Sequence, residues 1–225
     1  MRIGLILIGA ALLAGCDQPE IENPGEPMWS YFPFDGVRTW EFISSDMSLT
    51  FKRKAAMRST EPDVLDGVNT YPIDYHVICV QNDPDCVTGV ERSLSWSSDK
   101  VDGVYIWEWT EGQNPTVYFD PPLHVADAEM KVGEVLTTET AGYTFTSTLT
   151  AFEECPIRYQ GGPAKCARIT ISDGDDDPET GKGLVGDYWA GTNYNIVGFQ
   201  FPEDEGVWQL SSHVCDDCAA DNGRW

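Results

Sequence analysis

The strongest constraint on this chain lies at 143–151, where Tyr143, Phe145, Leu149 and Ala151 alternate with Thr144, Thr146, Thr148 and Thr150. A helix repeats its apolar face every 3.6 residues and a strand every two, so this segment reads as a half-buried strand. Similar short runs occur at 37–43, 47–53, 73–80, 87–96, 103–110, 115–119, 164–172, 184–190, 195–201 and 206–211. Turn formers punctuate them: Asp66-Gly67, Asp102-Gly103, Asn114-Pro115, Gly161-Gly162, Asp173-Gly174 and Pro202. Single helical turns are expected only near 55–60 and 124–130. The pattern predicts an all-β fold, one antiparallel domain over 31–225 of about ten or more short strands, which curls into a barrel or half-barrel or else splits into a β-sandwich.

The first sixteen residues have a different character. Met1-Arg2 give a short positive start, Ile3–Leu13 an apolar run of eleven, and Ala14-Gly15 two small residues before Cys16, which is the layout of a signal peptide over 1–15. Eleven apolar residues are too few to span a bilayer as a helix, which takes about 20. The junction Leu13-Ala14-Gly15-Cys16 resembles the lipobox of bacterial lipoproteins. That resemblance implies diacylglyceryl modification and acylation of Cys16, hence a lipid bilayer as a partner through acyl chains such as palmitate. Asp17 resembles the inner-membrane retention signal of enteric lipoproteins, and both membranes stay open. Residues 16–30, with Pro19, Pro24, Pro27, Gly25 and four acids, read as a flexible tether.

Tyr31-Phe32-Pro33-Phe34, Trp40-Glu41-Phe42, Lys131-Val132-Gly133-Glu134 and Gly183–Ala190 together resemble a family of uncharacterised bacterial lipoproteins whose mature domain opens on Tyr-Phe-Pro-Leu. Phe34 stands here where that family usually has Leu. The resemblance implies an exported β-rich lipoprotein of the cell envelope and assigns no catalytic residue.

Lys+Arg 14 against Asp+Glu 37 gives a net charge of −23. A nucleic-acid partner, which needs a basic face, is excluded, and such an acidic surface favours a soluble monomer. Setting Cys16 aside, six of the 7 cysteines remain for an oxidising compartment. Six allow 15 connectivities, but their spacing suggests that neighbours pair: Cys79 with Cys86, Cys155 with Cys166, Cys215 with Cys218.

Several clusters invite a chemical reading. Asp173, Asp175, Asp177 and Glu179 alternate in an acidic turn, a calcium candidate; an EF-hand loop, however, needs Gly and Glu where Pro178 and Leu184 stand. His213, Cys215 and Cys218 offer three ligands to a zinc site that needs four, so a disulfide is the simpler reading. Gly181, Gly183 and Gly186 match a phosphate-binding spacing but enter a strand rather than a helix. His76, His124 and His213 have no partner pattern of a hydrolase, and no catalytic residue or cofactor is assigned. Lys52, Arg53, Lys54 and Arg58 read as charges guarding a strand edge, with contact to phosphate head groups or an acidic partner as the alternative.

The aromatic residues are the last group. Tyr105, Trp107 and Trp109 share one strand face; with Trp189, Phe199 and Trp208 they either fill a core or line an apolar pocket. The expected function is therefore a membrane-anchored, non-enzymatic binding or envelope-structural protein, its partner an envelope protein. The alternative is a half-barrel carrier of a hydrophobic ligand such as a lipid, and an enzyme ranks third.

Overall fold

In the computed structural model, the described residues are 25–216 without 35, 51, 60, 82, 85, 159, 160 and 174–183. In chain order the elements are β1 (Glu26–Pro27), a 3-10 turn (Met28–Ser30), β2 (Val37–Ser44), α1 (Met47–Thr50), β3 (Arg53–Ser59), β4 (Asp63–Leu65), β5 (Val68–Cys79), β6 (Gly89–Asp99) and β7 (Gly103–Glu111). There follow β8 (Val117–Ala126), β9 (Glu129–Met130), β10 (Val135–Thr140), β11 (Tyr143–Glu154), β12 (Lys165–Asp173), β13 (Gly186–Gly191), β14 (Asn195–Gln200) and β15 (Trp208–Asp216). Twelve strands hydrogen-bond in the order β10-β11-β12-β13-β14-β15-β2-β3-β5-β6-β7-β8, every pair antiparallel, with β4 attached to β5.

This is an up-and-down meander curled into a nearly closed barrel, not a sandwich. β2 and β15, the first and last strands of this sheet in chain order, are joined along their lengths, Trp208 opposite Ser44 through Asp216 opposite Val37. The seam lies instead between β8 and β10. There the Thr138 hydroxyl accepts the backbone N–H of His124, and the Ser147 hydroxyl donates to the Val125 carbonyl. Backbone groups at the seam thus find side-chain partners where the ladder stops.

Alternation fills the interior. Trp40 and Phe42 of β2, Tyr75 of β5, Trp96 of β6, Tyr188 of β13, Phe199 of β14 and Trp208 of β15 are all buried. Phe199 is their hub, with ring centroids 5.0 Å from Phe42, 5.3 Å from Tyr75, 5.2 Å from Phe201 and 6.0 Å from Trp208. Each such side chain contributes about 1.5–3 kcal/mol by leaving water. Burial drives the Tyr75 and Tyr188 hydroxyls far above the ordinary tyrosine range, so both stay neutral.

The expected tether over 16–30 ends earlier than the composition implies. β1 pairs with β9, the Met28 N–H donates to Ala128 O at 3.0 Å, and Met28 is fully buried. Phe32 stacks on Trp96 and Phe34 on Tyr71, while the Asn195 amide donates to Pro33 O. Residues 25–34 therefore close one mouth of the barrel, because Met28 and Phe32 contribute burial that outweighs the local prolines.

Three local expectations are corrected. The helical turn near 55–60 is strand β3: Ala55, Met57 and Ser59 point inward, and β2 and β5 supply backbone partners on both sides, which overrides the helix preference of Lys54-Ala55-Ala56-Met57. The turn near 124–130 is the end of β8 plus β9. The run 47–53 starts instead as α1, whose first turn is held by the Asp46 carboxylate accepting the Ser48 N–H at 2.9 Å. β4 and β10 are additional strands.

Candidate ligand-binding site

The wall of the barrel is irregular around Trp107. On β7, Val104 and Ile106 point into the core, so Tyr105 faces outward. Ser95 pairs with Glu108 and Trp96 with Ile106, which leaves Trp107 as an extra, bulged residue on that side. On the other side Ile106 pairs with Leu123 and Glu108 with Tyr118. One residue of β7 thus faces four of β8, and two of those, Pro121 and Pro122, have no N–H to give a ladder. The two strands part at Trp107.

A pocket of about 540 Å³ lies at this parting. It is lined by Val68, Asn69 and Tyr71 of β5, Ser97, Ser98 and Asp99 of β6, Asp102 and Gly103 of the following turn, Tyr105 and Trp107 of β7, and Pro122 of β8. Its size falls in the range of small-molecule sites. The aromatic walls are fixed in place. Trp107 donates its indole N–H to the Ser97 hydroxyl at 2.8 Å. Tyr105 stacks on His124 with centroids 4.5 Å apart, and its hydroxyl donates to Asp102 O at 2.7 Å. Burial, then the Asp102 and Asp127 charges, raise the Tyr105 hydroxyl above its usual range, so it remains a neutral donor. His124 Nε2 lies 3.2 Å from Asp127 Oδ1 but out of line for a hydrogen bond.

The turn that carries Asp102 is shaped by two features. Asp99 Oδ1 accepts the N–H groups of Val101 and Asp102. Gly103 has φ +100°, and a Cβ there would stand 2.2 Å from Ala126 O, so only glycine fits. Among the described residues, the carboxylates Asp99 and Asp102 line the pocket and no lysine or arginine does. Lys100, in the same turn, lies over the Trp29 ring at 4.4 Å.

The six aromatics proposed from sequence as one lining are divided by the fold. Tyr105 and Trp107 line the pocket; Trp109, Phe199 and Trp208 are core residues. Trp189 is buried elsewhere, its indole N–H donating to Glu153 and its ring beneath Arg168. The bulge is what sequence reasoning missed, since it depends on pairing between strands. Its one local sign was Pro121-Pro122 within an otherwise strand-like run.

The remaining candidates stand apart from this pocket. Cys79–Cys86 and Cys155–Cys166 are bonded, and Cys215 is also in a disulfide, while Cys218 lies outside the described residues, as does Cys16. Of the calcium candidates only Asp173 is described; Asp175, Asp177 and Glu179 lie outside. Among the described residues no three His, Cys, Asp or Glu side chains come together as metal ligands. His213 sits at the closed mouth between Trp40 and Tyr194, with ring centroids 5.9 and 5.1 Å away. The basic run does not guard an edge, because β3 is paired on both sides. Arg53 instead pairs with Asp83 at 3.0 Å, and Arg58 stands across from Asp74.

At the opposite mouth Arg92 is buried, its guanidinium 3.9 Å from the Phe201 ring centroid and 3.9 Å from Glu203. Burial, partly offset by Arg92, raises the Glu91 carboxyl; burial also raises Asp204, partly offset by hydrogen bonds from Phe201 and Trp208. A second concavity of about 460 Å³ is lined by Glu91, Arg92, Glu111 and neighbouring loop residues, with no aromatic side chain among the described residues of its lining.

Compared with models of protein families, with curated proteins and with solved structures, the chain matches none of them.

Proposed function

We propose that this protein is an exported, lipid-anchored β-barrel that binds a small ligand on its outer wall and performs no covalent chemistry. The observation that carries the binding role is the parting of β7 and β8 at Trp107, which creates an aromatic pocket with rigid walls. The filled interior supports an outer site over a carrier that encloses a lipid, since Phe42, Leu149, Ile169 and Phe199 all point inward and are fully buried. A binding rather than a reacting site is favoured by the pocket's polar groups. The Ser97 hydroxyl accepts the Trp107 indole and Asp99 Oδ1 accepts two turn N–H groups, so both support the site's shape.

Anchoring rests on Cys16 and the segment before it. At most about 32 Å of chain separates Cys16 from Gly25, which would keep the closed mouth near the bilayer. Cys16→Ser should release the protein to the soluble fraction or stall its precursor; full retention on membranes would contradict the anchor. For the pocket, a small-molecule screen followed by NMR should concentrate shifts on the backbone amides of Ser97, Tyr105 and Trp107. Shifts confined to another surface would place binding elsewhere.

A further inference from the structure

We infer that the ligand of the Trp107 pocket is a small organic cation with an alkylated ammonium group, an inference that rests on the binding role proposed for that pocket. Two aromatic residues of β7, Tyr105 and Trp107, share the lining with the carboxylates Asp99 and Asp102, and among the described residues no lysine or arginine lines it. Aromatic faces carry negative electrostatic potential, which attracts a cation and repels an anion. The two carboxylates act in the same direction, so a phosphate, a carboxylate or an anionic lipid head group would be repelled.

Ring position adds to this. One face of Tyr105 is covered by His124, which leaves its other face for a ligand. Trp107 is tied through its indole nitrogen to Ser97. Rigid aromatic walls suit a cation that sheds water easily, as a methylated ammonium does, and they provide few donors or acceptors for a bare ion that must replace its hydration shell. A metal ion is further disfavoured because Asp99 Oδ1 already accepts two turn N–H groups. The net charge of −23 raises the local concentration of any cation at the surface.

The test is a titration of the purified full chain, in a polyoxyethylene detergent, with choline and with its neutral isostere 3,3-dimethylbutan-1-ol, read by tryptophan fluorescence and calorimetry. Choline should bind saturably and at least about tenfold more tightly than the isostere. Trp107→Ala should remove the saturable signal. Asp102→Asn, a variant that leaves the backbone carbonyl accepting the Tyr105 hydroxyl, should weaken choline severalfold and reduce the dependence on salt. Equal binding of the isostere, or saturable binding of a neutral sugar in place of choline, would overturn the cation class while leaving the pocket as a binding site. Absence of choline binding would also overturn it. If a broad screen then moved no pocket amide, the binding role itself would fall.

Discussion

Phe199 and His213 show how differently single residues contribute. Phe199 touches four rings and is fully buried, so Phe199→Ala should destabilise the barrel by about 3–5 kcal/mol, measured by urea unfolding. A loss below about 1 kcal/mol would mean that the interior is not packed as described. His213 contributes through protonation. Burial first, and the Arg38 cation second, lower its imidazole to about 4 from the ordinary 6.5. Between those values the unfolded chain binds more protons than the folded one, so stability falls as pH drops from about 6.5 towards 4. Solvent reaching part of the ring keeps this effect to about 1–2 kcal/mol. Glu91 and Asp204, raised by burial, act in the opposite sense, so a comparison of wild type with His213→Phe is needed to isolate the histidine. The variant should lose less stability than the wild type over that window; parallel pH profiles would refute this. Inward residues such as Phe145 and Leu149 were legible from alternation alone. The inward turn of Trp109, away from Tyr105 and Trp107, was not, because a bulge shifts parity by one residue and leaves no mark in composition.

At the scale of elements, the loop between Cys155 and Cys166 shows how a short staple completes a wall. β14 and β15 pair only at Gly198 with Gln209 and Phe199 with Trp208. Beyond that point Ile157 bridges to Leu210, and the Arg158 N–H donates to Leu210 O at 2.9 Å. Pro156 packs where a Cβ on Gly198 would stand, 2.5 Å away, so Gly198→Ala should push this loop off the sheet. The expected result is a destabilisation of about 1–3 kcal/mol and faster hydrogen exchange at the Arg158 amide. Unchanged exchange there would show that the loop does not depend on this contact. Neighbour pairing of cysteines anticipated the bridge, and Gly161-Gly162 anticipated the turn. The insertion of the loop beside β15 is a long-range fact without a local signal. Strand β3 was hidden for the opposite reason: its lysine, alanines and methionine favour a helix locally, and only the partners on both sides make it a strand.

For the whole molecule, the twelve-strand meander was foreseeable as an all-β fold, and the period of two allowed barrel and sandwich alike. The choice was made by contacts far apart in sequence: β2 with β15, and the plug from Met28 to Phe34 at one mouth. Because that plug stacks on Trp96 and Tyr71, Phe32→Ala should both destabilise the barrel, by about 3–5 kcal/mol, and expose Trp96 to acrylamide quenching. A nearly closed, filled barrel that binds on its outer wall, as proposed above, must purify without anything inside it. Native mass spectrometry of the Cys16→Ser protein, exported and purified without added lipid, tests this most directly. The predicted result is the mass of the polypeptide with its disulfides and no lipid adduct. A stoichiometric lipid that survives gentle desolvation and is released on unfolding would contradict it.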